Sequence, residues 1–338
     1  MLHLQGMSEL HRFLFDGVPV RGQLVRLTES WRELLQRRAA NTQTGAYPAP
    51  VVQLLGEMTA ASVLMQAGIK FGGSLVMQIF GDGPVKLAVA EVQSDLRLRA
   101  TASLAGPVHP GARLSELVNP GGTARCAITL DHGTHSHTGW QSYQGVVPLS
   151  DHAGAPFDAL GRVIEHYMHQ SEQLDTTLVL AADPDVAAGL LLQRIPVQGE
   201  RNLSRTHVAH EGGLATIAGD EDDFERLSIL ARSLRPEELL SLDAHTILHR
   251  LFWNEHLRRF EGLTGMAGPR FACSCSRARV AGMLRSLGRE EVESILHEQG
   301  RVEVGCEYCG QQECFDAVDV ARLFTAPEQQ SPLPGAVQ

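Results

Sequence analysis

Lysine is almost missing from this chain: of the 29 basic residues in 338, only Lys70 and Lys86 are lysine, and the rest are arginine. Aromatic residues make up just 5%. Acidic residues outnumber basic ones 39 to 29, giving a formal net charge of −10. Sequence-independent binding to nucleic-acid phosphates or anionic lipid calls for a basic face, so this balance argues against both. No run of 18 apolar residues occurs, so no membrane-spanning helix is expected. There is no GxxxxGK[ST] loop for nucleotide phosphates, and Gly81-Asp82-Gly83-Pro84 is not a dinucleotide fingerprint. No Ser/His/Asp set has supporting context, and no two carboxylates stand at a spacing suited to acid–base work, so nothing specifies a substrate pocket and no enzyme is expected. Residues 1–16 carry Glu9, Arg12 and two histidines where a signal peptide would have an apolar core. The expected address is cytoplasmic, where cysteines stay reduced or bind metal.

What is present is 43% hydrophobic, enough to rule out a wholly disordered chain. Charge density divides the sequence. Positions 41–200 hold 22 charged residues, whereas the 57 positions 205–261 hold 18, which sets a boundary near residue 200. The expected organisation is an N-terminal domain over 1–200, a helical segment over 201–265, a small cysteine-bearing domain over 266–326, and a polar tail over 327–338 whose three prolines suit a disordered end.

The first region mixes strand and helix patterns. Leu75, Met77 and Ile79 alternate before the GDGP turn, and Val85, Leu87 and Val89 alternate after it, which predicts a hairpin. Ala124, Cys126, Ile128 and Leu130 alternate likewise, as does the run 174–180. Helices are predicted over 52–67, where Leu55, Met58, Ser62 and Met65 share a face, and over 157–170. The elements follow no regular βαβ rhythm, so the fold class is α+β rather than a doubly wound sheet. In the middle region, Asp222 and Asp223 begin a predicted amphipathic helix through Phe224, Leu227, Leu230 and Leu234, and Pro236 begins a second through Leu239, Ile247, Leu251 and Phe252. Two readings stay open for these helices: ordinary packing on a core, or marginally held helices whose apolar faces bind something when released.

Five of the six cysteines lie in the last 66 residues. Cys273-Ser274-Cys275 and, after a 30-residue spacer, Cys306-Glu307-Tyr308-Cys309-Gly310 have the form of a four-thiolate site, and zinc is the ion that suits four soft anionic sulfurs. Gly310 would let the backbone turn tightly below the metal. Helices over 279–287 and 289–298 and a strand over 301–304 are predicted in the spacer, a unit too small to fold without metal. Zinc here could be purely structural. A CxC pair, however, can close only a small, strained and labile disulfide, which gives the site switch chemistry as well. Cys314 reads as a small buried side chain or an accessory thiol, and Cys126 as core. The stretch Asp131–His137, with His132, His135 and His137, reads as a hairpin loop rather than a metal cluster.

Beyond the cysteines, HRFLFDGVPVRGQLVRL (11–27) resembles the opening strand of the 33 kDa chaperonin family, and LGEMTAASVLMQAGIKFGGSLVMQIFGDGPVKLAVAE (55–91) resembles its helix and first hairpin. YQGVVPL (143–149), YMHQSEQLDT (167–176), LLLQRIP (190–196), FACSCSR and CEYCG follow in family order, so the resemblance covers roughly 8–324. It implies an α+β N-terminal domain, a metastable helical linker and a C-terminal redox-switch domain. In the reduced, inactive form, Cys273, Cys275, Cys306 and Cys309 would hold one zinc ion. Oxidation with unfolding stress would release it, form disulfides Cys273–Cys275 and Cys306–Cys309, and unfold switch and linker. The resulting ATP-independent holdase, homodimeric when oxidised, would take unfolding client proteins as partners. Other functions consistent with the cysteines are a thiol–disulfide oxidoreductase and a zinc-ribbon nucleic-acid binder. Two departures from the family pattern stand out: a long stretch 199–219, and Cys314 where an aromatic or aliphatic residue is expected.

Overall fold

The computed structural model describes residues 6–41, 44–131, 142–196 and 221–325. The chain opens with a hairpin, β1 (Glu9–Phe15) and β2 (Val20–Leu27), followed by helices α1 (Glu29–Ala39) and α2 (Ala49–Gly68). A meander of β3 (Ser74–Phe80), β4 (Val85–Gln93) and β5 (Arg97–Leu104) leads through α3 (Leu114–Val118) to β6 (Arg125–Asp131) and β7 (Tyr143–Pro148). Next come α4 (Leu160–Ser171) and the hairpin β8 (Thr176–Ala182)–β9 (Ala187–Arg194). Helices α5 (Glu221–Arg232), α6 (Pro236–Ser241) and α7 (Ala244–Phe252) precede three short strands, β10 (Leu257–Arg259), β11 (Leu263–Thr264) and β12 (Arg270–Phe271). The last part contains α8 (Arg277–Leu287), α9 (Arg289–Gln299), the hairpin β13 (Val302–Gly305)–β14 (Gln312–Phe315) and α10 (Ala317–Leu323).

Two six-stranded sheets result. The first runs β10-β1-β2-β9-β8, with β11 also on β1, and the second runs β12-β5-β4-β3-β6-β7. Every pairing among these strands is antiparallel except β12 on β5, in keeping with α+β and against a doubly wound sheet.

Helix α2 lies between the sheets, touching β2, β8 and β9 of the first and β3, β4 and β5 of the second. Its sequence explains this position: apart from Glu57 it carries no charge, and it is apolar around its whole circumference. Its two hydroxyls bond back onto the helix itself, with Thr59 Oγ1 donating to Leu55 O at 2.6 Å and Ser62 Oγ to Met58 O at 2.7 Å. Gly56 permits the close crossing, since a Cβ there would stand 2.4 Å from that of Ala182.

The predicted β3–β4 hairpin forms, with Gly81 N donating to Lys86 O at 2.9 Å. One detail differs. A register shift between Val85 and Leu87 turns the core face of β4 to Val85, Ala88, Ala90 and Val92, not Val85, Leu87 and Val89. The family-like segment 11–27 is a strand pair rather than one strand, broken at Gly17, whose φ is +82°.

The outer face of the first sheet is a second apolar core. Phe13 and Phe15 of β1, Val20 and Leu24 of β2, and Leu190 and Leu192 of β9 meet Leu227, Leu239, Ile247, Leu248 and Phe252 of α5–α7. With both faces covered, β9 is buried from Ala187 to Gln193, which its unbroken apolar run anticipates. The single second helix predicted from Pro236 is in fact two. The first ends at Ser241 with Leu242 as its C-cap, and Asp243 caps the next, accepting from Thr246 N at 2.9 Å; a capping carboxylate outweighs the continuous apolar stripe. The predicted helix over 157–170 starts at Leu160. Residues 199–219, the histidines 132, 135 and 137, and the tail 327–338 lie outside the described residues.

Candidate metal centre

Backbone geometry brings the two cysteine pairs together. Strand β12 delivers Cys273 directly, and after Cys275 the hydroxyl of Ser276 caps α8 by accepting from Arg279 N at 3.2 Å. Gly288, at φ +99°, joins α8 to α9, and left-handed Gly300 ends α9 so that β13 returns towards the first pair. Cys306–Gly310 form a tight knuckle: Gly310 N donates to Cys306 O at 2.8 Å, Cys306 N to Gln311 O at 2.9 Å, and Gly310 adopts φ +68° as its role in the turn requires.

The four sulfurs of Cys273, Cys275, Cys306 and Cys309 all lie within 4.8 Å of one another, the only such group among the described residues. Cys273 Sγ and Cys306 Sγ are 3.6 Å apart, and Cys275 Sγ and Cys309 Sγ 3.2 Å. Zinc at about 2.3 Å from four sulfurs requires tetrahedron edges of about 3.8 Å. The cluster therefore fits a four-thiolate ion in both size and donor chemistry. Cys309 is buried and the other three are half-buried. Burial opposes ionisation of Cys273, but the Cys275 backbone N–H and the neighbouring thiols outweigh it and hold its thiol below the ordinary value. Burial, reinforced by the facing sulfurs, pushes Cys275 up, and burial pushes Cys309 up. The sulfurs crowd too closely for all to ionise alone, and a divalent cation would relieve that conflict.

Around the cysteines lies a polar collar that sequence reasoning did not identify. Arg99 of β5 donates to Ser274 Oγ at 3.0 Å and lies over the Tyr308 ring, 4.4 Å from its centroid. Thr101 Oγ1 donates to the Glu307 carbonyl at 3.0 Å. Nothing in the alternating Arg97-Leu98-Arg99 of β5 distinguishes it from an ordinary strand with one solvated face. Cys314 is exposed on β14, opposite Glu303, so the buried reading does not hold; it takes the outward phase of a two-stranded ribbon that has only one covered face. Cys126 is fully buried in β6, and burial pushes its thiol up to about 12.

Two largely antiparallel sheets clasping one apolar helix, a helical layer on the outer face of the first sheet and a module of four convergent cysteines define an α+β protein with a candidate metal centre. Sequence comparison gives that class a family. The family pattern described as Hsp33 protein matches residues 8–316. The 33 kDa chaperonin of Chromobacterium violaceum is 43% identical over 323 residues, covering 96% of each chain. That of Shewanella woodyi is 39% identical over 324 residues, covering 95% of this chain and 98% of the relative. The chain belongs to the Hsp33 family. The crystal structure of the Thermotoga maritima 33 kDa chaperonin has the same fold, with a TM-score of 0.67 at 18% identity, over 93% of this chain and 97% of that one. The protein is thus a member of a chaperone family and not an enzyme. No described helix is long and apolar enough to cross a membrane.

Proposed function

We propose that this chaperone is a redox-regulated, ATP-independent holdase, zinc-bound and inactive when reduced, and active on unfolding client proteins when oxidised. One juxtaposition carries the reading. The helices that cover the apolar face of Phe13, Phe15, Leu24, Leu190 and Leu192 run through β10–β12 straight into the convergent cysteines.

Cys273, Cys275, Cys306 and Cys309 would hold the zinc, whose charge keeps four crowded sulfurs as thiolates. In each pair, Cys273–Cys275 and Cys306–Cys309, two thiolates lose two electrons to one peroxide. An S–S bond forms, the O–O bond breaks, and two protons from solvent complete two waters. The neutral sulfurs then no longer serve as thiolate ligands. The module they close has a core of only six buried residues, Ala281, Leu284, Val292, Val302, Phe315 and Val320, too few to persist without the metal. As it unfolds, the α5–α7 layer loses its anchor and the sheet face opens. Exposed apolar surface of this kind holds unfolded chains by shared burial. The working units in this reading are a body over 1–200, a linker over 201–265 and a switch over 266–326, in a cytoplasmic protein that dimerises when oxidised.

The test is suppression of aggregation of a chemically unfolded client, by reduced protein and by protein treated with peroxide at elevated temperature. Treated protein should suppress in proportion to its amount, without turnover, and reduced protein should not. Equal suppression by both would overturn the reading.

A further inference from the structure

Two arginines of the sheet body reach the cysteine module. Arg99 donates to Glu91 Oε2 from Nη2 at 2.6 Å and from Nε at 2.9 Å, which fixes the guanidinium on the sheet. Its remaining arm, Nη1, donates to Ser274 Oγ, and its plane covers Tyr308. Ser274 stands between the two cysteines of the first pair and Tyr308 between those of the second, so one side chain touches both. From the module's own side, Arg279 Nη1 donates to Ser274 O at 3.2 Å and to Ser274 Oγ at 2.5 Å. Arg37 of α1, held by Glu33 at 2.7 Å, lies over Phe271, two residues before Cys273, at 5.0 Å. The Arg37 carbonyl comes so near Gly310 that a Cβ there would be 2.8 Å from its oxygen. The covalent run into the cysteine loop pairs with β5 over two residues, Arg270 with Arg97 and Phe271 with Leu98, and its backbone bonds include Arg270 N to Leu96 O and Ala272 N to Leu98 O, each 3.1 Å.

We infer that Arg99, seconded by Arg37, is a positioning residue that reads the charge of the four-cysteine site and turns its loss into release of the cysteine loop from the edge of β5. The inference rests on the redox reading above. Four thiolates around a divalent cation carry net −2, and two disulfides carry no charge. A half-buried guanidinium within hydrogen-bond reach of the loop is favoured by the first state, and its contact becomes an ordinary neutral one in the second. With that contact weakened, the first cysteine pair is held by a two-residue parallel strand and the Arg270–Asp95 ion pair before it, and the second by the Thr101 hydroxyl on the Glu307 carbonyl; strands that short do not persist unaided. Glu91 stays paired with Arg99 in both states, so the guanidinium remains with the sheet while the loop departs.

The experiment uses the full chain, reduced and loaded with one zinc, as wild type, Arg99→Gln and Arg99→Lys, and reads zinc content together with amide exchange at Arg270 and Ala272. The expected result is unchanged zinc content and exchange at both amides about tenfold faster in Arg99→Gln, approaching that of peroxide-treated wild type, with Arg99→Lys in between. Added salt should speed exchange in the reduced wild type and leave Arg99→Gln unmoved. Should Arg99→Gln fail to fold, Arg37→Gln, on a more exposed side chain, should speed the same amides several-fold. Equal exchange in variant and wild type, or exchange that rises only as zinc is lost, would overturn the role of Arg99 and leave the redox reading intact. Retention of zinc by peroxide-treated wild type would instead overturn the redox reading, whatever Arg99 does.

Discussion

Thr177 of β8 donates its hydroxyl to Ser228 Oγ of α5 at 2.8 Å, and both residues are buried. This polar contact lies within a largely apolar boundary between the first sheet and the helices that cover it. At the other edge of that boundary, Arg26 of β2 donates to the carbonyls of Leu239 and Leu240 at the end of α6, the latter at 3.0 Å. The helical layer is thus positioned by a few specific polar contacts and stabilised by area.

Thr177→Val strands the Ser228 hydroxyl without its donor and should destabilise the covering layer by about 1–3 kcal/mol, the cost of an unsatisfied buried polar group. The double variant Thr177→Val/Ser228→Ala should recover most of that loss. A double-mutant cycle by urea unfolding checks both. Aggregation suppression by the reduced single variant should rise above that of the reduced wild type.

Phe252→Ala removes a ring that packs edge-on to Phe15 at 5.0 Å and against Phe13 at 6.2 Å. The expected cost is about 3–5 kcal/mol, as for other buried aromatic truncations. Phe252 lies outside the small core of the cysteine module, so zinc content should be unchanged while the reduced protein suppresses aggregation. Loss of zinc in this variant, measured with a colorimetric chelator, would count against separating the linker from the switch.

Much of this architecture was legible in the sequence. Alternation gave β3 and β6, composition gave α2, and the CxC and CxxC spacing identified four sulfurs that do converge. What escaped had physical reasons. Strands β10, β11 and β12 are two or three residues long, too short for any periodicity, yet they fasten the cysteine module to both sheets. The shift at Lys86 that turns β4 over leaves no trace in hydrophobic pattern. Asp243 carries a capping signal that competes with a continuous apolar stripe, and only tertiary packing decides between them. Arg99 reads as one more solvated strand residue until the loop that covers it is in place.

Glu57 is the one charge on α2, and burial raises its carboxyl to about 7, opposed by a hydrogen bond from Gln53. Because the folded pKa exceeds the ordinary 4.5, the folded state binds a proton more tightly than the unfolded one. Stability from this group is complete below about pH 4.5 and falls as pH rises through 7. Glu57→Gln should therefore raise the melting temperature at pH 8 and leave it unchanged at pH 4, as followed by circular dichroism.

Cys314 is exposed and Cys126 is buried with its thiol near 12, so brief alkylation of the native, zinc-loaded protein should label Cys314 and spare Cys126. Cys314→Ser should keep its zinc and its peroxide activation, and should lose any disulfide-linked dimer seen on a non-reducing gel. Cys309→Ser should lose zinc altogether and leave residues 273–325 open to protease.

The most direct test of the central claim follows zinc, free thiols and aggregation suppression in one sample, before and after peroxide at elevated temperature. The account predicts one zinc per chain when reduced, four thiols consumed as it leaves, suppression appearing in step, and reversal of all three by reductant and zinc. Suppression that appears while zinc stays bound, or zinc that leaves with no suppression gained, would contradict it.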